Sequence, residues 1–163
     1  MATRPNVRKL ALTGVIVLVA LAGTFARGFA SNPDTDYGGG TISGLSWTGR
    51  SYLSWTTGDG GVVYSGSVTT WINNYTTIEQ ITADSWGNEY CGPFIIDTDW
   101  EAHPTEYDDW FAYGSGGGWA MVGECSWWTP GPYVVLATDS AHNLWDGPDH
   151  DRDETSAWDQ TPF

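Results

Sequence analysis

The sequence predicts an all-β fold, a single antiparallel sandwich or barrel-like domain behind an N-terminal signal or anchor helix. Three observations carry that expectation. Short runs rich in Val, Ile, Thr and aromatic residues recur along the chain, Gly- and Pro-containing stretches separate them, and helical periodicity is almost absent after residue 30. With 11 Trp, 8 Tyr and 5 Phe against modest numbers of Leu, Ile and Val, ring burial supplies much of the hydrophobic driving force.

Residues 1–30 place Arg4, Arg8 and Lys9 ahead of an apolar run from Leu10 to Phe25, with small residues at Ala26 and Ala30. Basic, then apolar, then small is the order of a secretory signal, and cleavage after Ala30 is preferred over Ala26. The alternative is an uncleaved membrane anchor, because the run falls between a signal core and a full span of ~20 residues. Either way the domain is expected to be extracellular, secreted or anchored facing outward, where disulfides persist. Cys91 and Cys125 are the 2 cysteines and hence the one intramolecular pair available. Closing a loop of that length contributes on the order of 3 to 4 kcal/mol in the chain-entropy model.

Residues 31–40, SNPDTDYGGG, combine Pro, Asp and glycines without periodicity and read as a linker. The β domain is expected over 41–140. Leu45-Ser-Trp-Thr48 recurs as Leu53-Ser-Trp-Thr56, and alternation makes each copy a strand. A loop at Gly49-Arg50-Ser51 would pair them as a hairpin with Leu45, Trp47, Leu53 and Trp55 on one face. Residues 57–61 form a turn, Val62 to Ser65 a short strand, and Ser67 to Thr82 two strands about a turn near Asn73-Asn74. Strands follow at Phe94 to Asp97, Trp110 to Tyr113, Trp119 to Val122 and Tyr133 to Thr138, with breaks at Gly114 to Gly118 and Thr129 to Pro132. Residues 141–163 read as an acidic tail held loosely by Trp145 and Trp158.

Charge narrows the partners. Asp and Glu number 20 against 6 Lys and Arg, a net charge of −14, and loss of residues 1–30 would leave only Arg50 and Arg152 as cations. Most carboxylates then lack a protein cation and are solvated, screened by salt or bound to metal. Nucleic acid is excluded as a partner because phosphate binding needs clustered Lys and Arg. Contact with a membrane is confined to residues 1–30, if they are retained.

Calcium is the candidate cofactor. Asp149-x-Asp151-x-Asp153 offers alternating hard oxygens, although Glu154 and Gln160 stand where an EF-hand loop needs its turn Gly and its bidentate Glu. Asp97-x-Asp99-x-Glu101 is a second such cluster. On a regular strand those three would share a face, an arrangement that like-charge repulsion disfavours unless a cation intervenes. His103, His142 and His150 lack zinc-ligand spacing, and no Gly-x-Ser-x-Gly elbow is present.

The functional expectation is an acidic β-domain that binds a glycan, a cell surface or a protein without catalysis. Its contact rings are Trp119, Trp127 and Trp128, because adjacent strand residues point to opposite faces and leave one ring of the Trp127-Trp128 pair exposed. A small glycosidase-like hydrolase drawing two carboxylates from Asp97, Asp99, Glu101, Asp108 and Asp109 is the alternative, and an anchored structural component of the envelope a third.

Overall fold

A computed structural model describes residues 32–121, 125 and 134–161. The predicted signal or anchor at 1–30, the break at 129–132, and Trp127 and Trp128 lie outside the described residues. Within them the chain is all-β, without a helix: β1 (Asp34–Ile42), β2 (Leu45–Gly58), β3 (Gly61–Ile72), β4 (Ile78–Cys91), β5 (Phe94–Ala102), β6 (Thr105–Asp109), β7 (Phe111–Met121), β8 (Val135–Asp146) and β9 (Asp149–Gln160). They form two antiparallel sheets, ordered β1-β2-β3-β7 and β5-β4-β8-β9, that face each other as a sandwich. Along β4 the outer partner changes: Ser85 to Cys91 pair with β5, Ile78 to Thr82 with β6. Cys91 and Cys125 form a disulfide with Cα atoms 5.4 Å apart.

Several stretches behave differently from their sequence reading. The expected linker is β1, and the expected acidic tail supplies the end of β8 and all of β9. The two Leu-Ser-Trp-Thr copies lie on one continuous strand, β2, rather than on a hairpin. An even spacing of eight residues explains this: period-two alternation already sets Leu45, Trp47, Leu53 and Trp55 on the same face of a single strand. The glycines from Gly114 to Gly118 do not break a strand but run through the middle of β7.

Two of those glycines, Gly116 and Gly118, are sockets for side chains of the opposite sheet, as are glycines on other strands. The Trp100 indole, 8% exposed, lies against Gly66 of β3, Gly87 of β4 and Gly116 of β7. A Cβ at Gly66 would stand 2.5 Å from its ring and one at Gly116 2.6 Å from Cε3. In the same way Gly49 receives the His142 ring, Gly38 the Asp153 carboxylate, Gly40 that of Asp151 and Gly118 that of Asp99. Close-packed interiors leave no slack for an added methyl at such points.

The edges of the two sheets are held together by carboxylates. Asp34 Oδ2 accepts from Trp158 N at 2.9 Å and Asp36 Oδ2 from Ser156 N at 3.0 Å, joining β1 to β9. Asp153 Oδ2 accepts from Gly39 N at 2.8 Å in the reverse direction. On the far side Asp99 Oδ2 caps Trp119 N of β7 at 2.9 Å. Indole donors extend the pattern: Trp47 Nε1 donates to Asp151 at 2.7 Å and Trp55 Nε1 to Asp159 at 2.8 Å. Each bond is charge-assisted, and each satisfies a strand amide or a partly buried indole that the ladders leave without an acceptor.

The core has two apolar halves separated by polar side chains. Leu53, Val62, Tyr64, Trp100 and Leu136 pack in one half, Trp47, Val68, Ile72, Ile81 and Leu144 in the other. Between them His142, fully buried, bridges Thr70 Oγ1 (2.7 Å from Nδ1) and Thr155 Oγ1 (2.8 Å from Nε2). Thr70 donates to the Thr82 carbonyl at 2.8 Å, which leaves its oxygen to accept from His142 Nδ1–H. Thr155 continues the chain to Ser51, Ser140 and Ser85.

Burial pushes the His142 imidazole down to about 4, against smaller opposing effects of Asp153 and Asp36. The unfolded chain therefore takes up this proton first, so the contribution is intact above about pH 6.5 and is lost as pH falls toward 4, on the order of 3 kcal/mol in all. His142→Gln should lower stability at pH 7 and flatten the loss between pH 6.5 and 4 in urea titrations; an unchanged slope would contradict this. Gly116→Ala should cost about 1–3 kcal/mol by displacing Trp100, whereas Gly58→Ala, whose Cβ meets nothing closer than 3.9 Å, should leave the thermal midpoint nearly unchanged.

Candidate functional site

The outward positions of β1, β2, β3 and β7 form one continuous surface, and the antiparallel register sorts its side chains into rows. One row runs Tyr37, Arg50, Thr69, Tyr113 across all four strands. Beside it stand Thr48, Trp71 and Phe111 on one side and Thr35, Tyr52, Ser67 and Ser115 on the other. Farther along, Thr56, Val63 and Trp119 form another row. Tyr113 is 50% exposed and Trp119 46%. Between them β7 presents only Ser115 and Gly117, so the two rings bound a low stretch ~20 Å long.

No outward position on these four strands among the described residues is Asp or Glu, in a chain with 20 of them. The single cation of the face is Arg50. Its Nη2 donates to Thr69 Oγ1 at 3.2 Å, while Nε is covered and has no hydrogen-bond partner. Among the described residues Arg50 makes no ion pair; those present join His103 to Asp84, His103 to Glu101, and Arg152 to Glu154.

Of the predicted contact rings, Trp119 lies on this face, its strand fixed by the Asp99 cap on its amide. Trp127 and Trp128 fall outside the described residues. Tyr37, Arg50, Tyr52, Phe111 and Tyr113 were not anticipated. Reading 31–40 as a linker hid Tyr37, and reading Gly114 to Gly118 as a break hid the run of alternate outward residues on β7. Carrying the parity of Trp119 back through the glycines reaches Tyr113 and Phe111, so the signal was present in the spacing.

The predicted calcium ligands are dispersed. Asp149 accepts from Ser43 Oγ at 3.0 Å, and Asp151 and Asp153 face the Trp47 indole and the Gly39 amide. Like charges alternate on one face of β9, and each of the three carboxylates has its own N–H or O–H donor. In β5 the pairing shifts between Gly87/Asn88 and Glu89/Tyr90, which breaks the alternation expected of Asp97, Asp99 and Glu101. Asp97 accepts from Thr98 N at 2.8 Å, Asp99 turns to β7, and Glu101 turns to His103 Nε2 at 3.4 Å. No group of three or more His, Cys, Asp or Glu among the described residues is placed to hold a metal.

The acids of the hydrolytic alternative are equally scattered. Asp109 Oδ1 accepts from Trp110 N at 2.6 Å and Asp108 sits at a positive φ of 52°, both at the bend between β6 and β7. On the outer face of the second sheet, His103 stands between Asp84 Oδ1 (3.2 Å) and Glu101, edge-on to Trp86 at 5.6 Å. Glu101, then Asp84, hold its imidazole above the ordinary range. Asp139 nearby is saturated by Asn88 Nδ2 (2.7 Å), Tyr90 OH (2.5 Å) and Ser156 Oγ (2.6 Å), a structural arrangement. Burial and the Asp139 charge push the Tyr90 phenol up, so it stays a donor.

No protein-family model, curated protein or solved structure matches the chain. Because these carboxylates already accept from protein donors, millimolar calcium and NaCl of equal ionic strength should raise the thermal midpoint equally, by screening. A saturable rise with calcium alone would reveal a cation site that the side-chain placement does not account for.

Proposed function

We propose that this is an exported, non-catalytic binding domain whose ligand is a glycan, taken on the outer face of β1, β2, β3 and β7. The observation that carries the reading is the composition of that face: Tyr37, Tyr52, Trp71, Phe111, Tyr113 and Trp119 set among Ser and Thr hydroxyls, without a carboxylate. Flat rings cover the apolar faces of sugar rings, and the hydroxyls between them exchange hydrogen bonds with sugar hydroxyls. Residues on paired strands are already ordered, so binding costs little side-chain and loop entropy. Export is supported by the basic, apolar, small order of residues 1–30 and by the disulfide. Catalysis is disfavoured because Asp97, Asp99 and Glu101 turn to different partners along β5, while Asp108 and Asp109 lie apart from them in sequence at the bend between β6 and β7.

The test is affinity electrophoresis and array binding against a broad glycan panel, with the thermal midpoint of each variant as a folding control. Trp119→Ala and Tyr113→Ala should each weaken retention about tenfold, and Asp97→Asn and Glu101→Gln should leave it unchanged. Absence of retention by every glycan, or retention indifferent to both rings, would overturn the reading. Turnover abolished by Glu101→Gln would replace it with the hydrolase.

A further inference from the structure

Resting on the glycan reading, we infer that the ligand is an anionic polysaccharide, one carrying uronic carboxylates or sulfate esters, and that Arg50 receives the anionic group. Two independent features point there. The first is the exclusion of acid: the carboxylates of the described residues are distributed over the turns, the sheet edges and the second sheet, yet the outward positions of β1, β2, β3 and β7 carry none. A neutral sugar gives no reason for that exclusion, since carboxylates are good acceptors for sugar hydroxyls. An anion does, because each carboxylate beside it would repel it.

The second is the state of Arg50. In so acidic a chain an arginine ordinarily finds a carboxylate, and Arg152 does, donating from Nη2 to Glu154 Oε1 at 2.6 Å. Arg50 has only the neutral Thr69 hydroxyl, and its charge is uncompensated among the described residues. It stands in the second strand of the row whose ends are Tyr37 and Tyr113, so a sugar ring lying across that row would bring a ring substituent to the guanidinium. The planar guanidinium matches carboxylate and sulfate oxygens in a way an ammonium does not. At physiological salt the screening length is about 8 Å, so the acids beyond the face oppose the approach of the polymer more than its seating.

The experiment compares one polymer in two charge states, using the full-length protein: polyuronate (alginate) and the same polymer with its carboxyl groups reduced to alcohols, with a sulfated glycan as a third arm. Wild type should bind the polyuronate or the sulfated glycan about tenfold more tightly than the reduced polymer. Arg50→Gln should remove that difference while leaving the weak binding of the reduced polymer intact, and Arg50→Lys, which keeps the charge, should retain part of it. Equal affinity for the acidic and reduced polymers, or a preference that survives Arg50→Gln, would overturn the assignment of the anion to Arg50 and leave glycan binding standing. Binding of no polymer in any state would overturn both. The wild-type comparison and Arg50→Lys decide the matter even if Arg50→Gln does not fold.

Discussion

A carboxylate reaching across to a strand amide, over a glycine, is the interaction on which the rest of this sandwich depends. Asp153 caps the Gly39 amide while lying against Gly38; Asp99 caps Trp119 while lying against Gly118. Asp151 lies against Gly40 and takes the Trp47 indole. Edge strands in sandwiches present unpaired amides that invite pairing with other chains, and here charged acceptors from the facing sheet occupy several of them. The glycines are the other half of the device, because only a residue without Cβ lets the carboxylate approach the backbone closely. At Gly38, Gly40 and Gly118 the acid and the glycine are thus two halves of one contact.

This closure also frees a surface. Acids engaged at the edges and acids on the second sheet leave the outer face of β1, β2, β3 and β7 to rings and hydroxyls. The Trp100 indole, seated among three glycines of three strands, packs between the sheets directly beneath the middle of β7. Since β7 carries Phe111, Tyr113 and Trp119 outward, the same packing that builds the core positions the rings of the candidate site. The polar layer around His142 serves the fold alone; it is fully buried and reaches none of the outward rows.

The all-β class, the turns near Asp59-Gly60 and Asn73-Asn74, and the pairing of Cys91 with Cys125 were legible in the sequence, because each rests on local chemistry. Long-range partners were not. A stretch such as Tyr37-Gly-Gly-Gly40 has the composition of a linker until a strand with Asp151 and Asp153 faces it, and β9 has the composition of a tail until indoles and amides meet its carboxylates. Glycine was read as punctuation, whereas in β1 and β7 it marks where another backbone or ring comes close. The candidate site was half visible: Trp119 stood out by type, but Tyr37 and Tyr113 join it on one face only through the register. Arg50 gave no signal at all, since the absence of acids around it is a property of the folded face.

The most direct measurement of the central claim is hydrogen exchange resolved at single amides. Gly39, Trp119, Ser156 and Trp158 point away from their ladders, and the carboxylate closure predicts that all are nonetheless protected, with Asp153→Ala releasing Gly39 alone and Asp99→Ala releasing Trp119 alone. Free exchange of these amides in the unaltered protein would contradict it, as would protection that survives removal of the capping carboxylate.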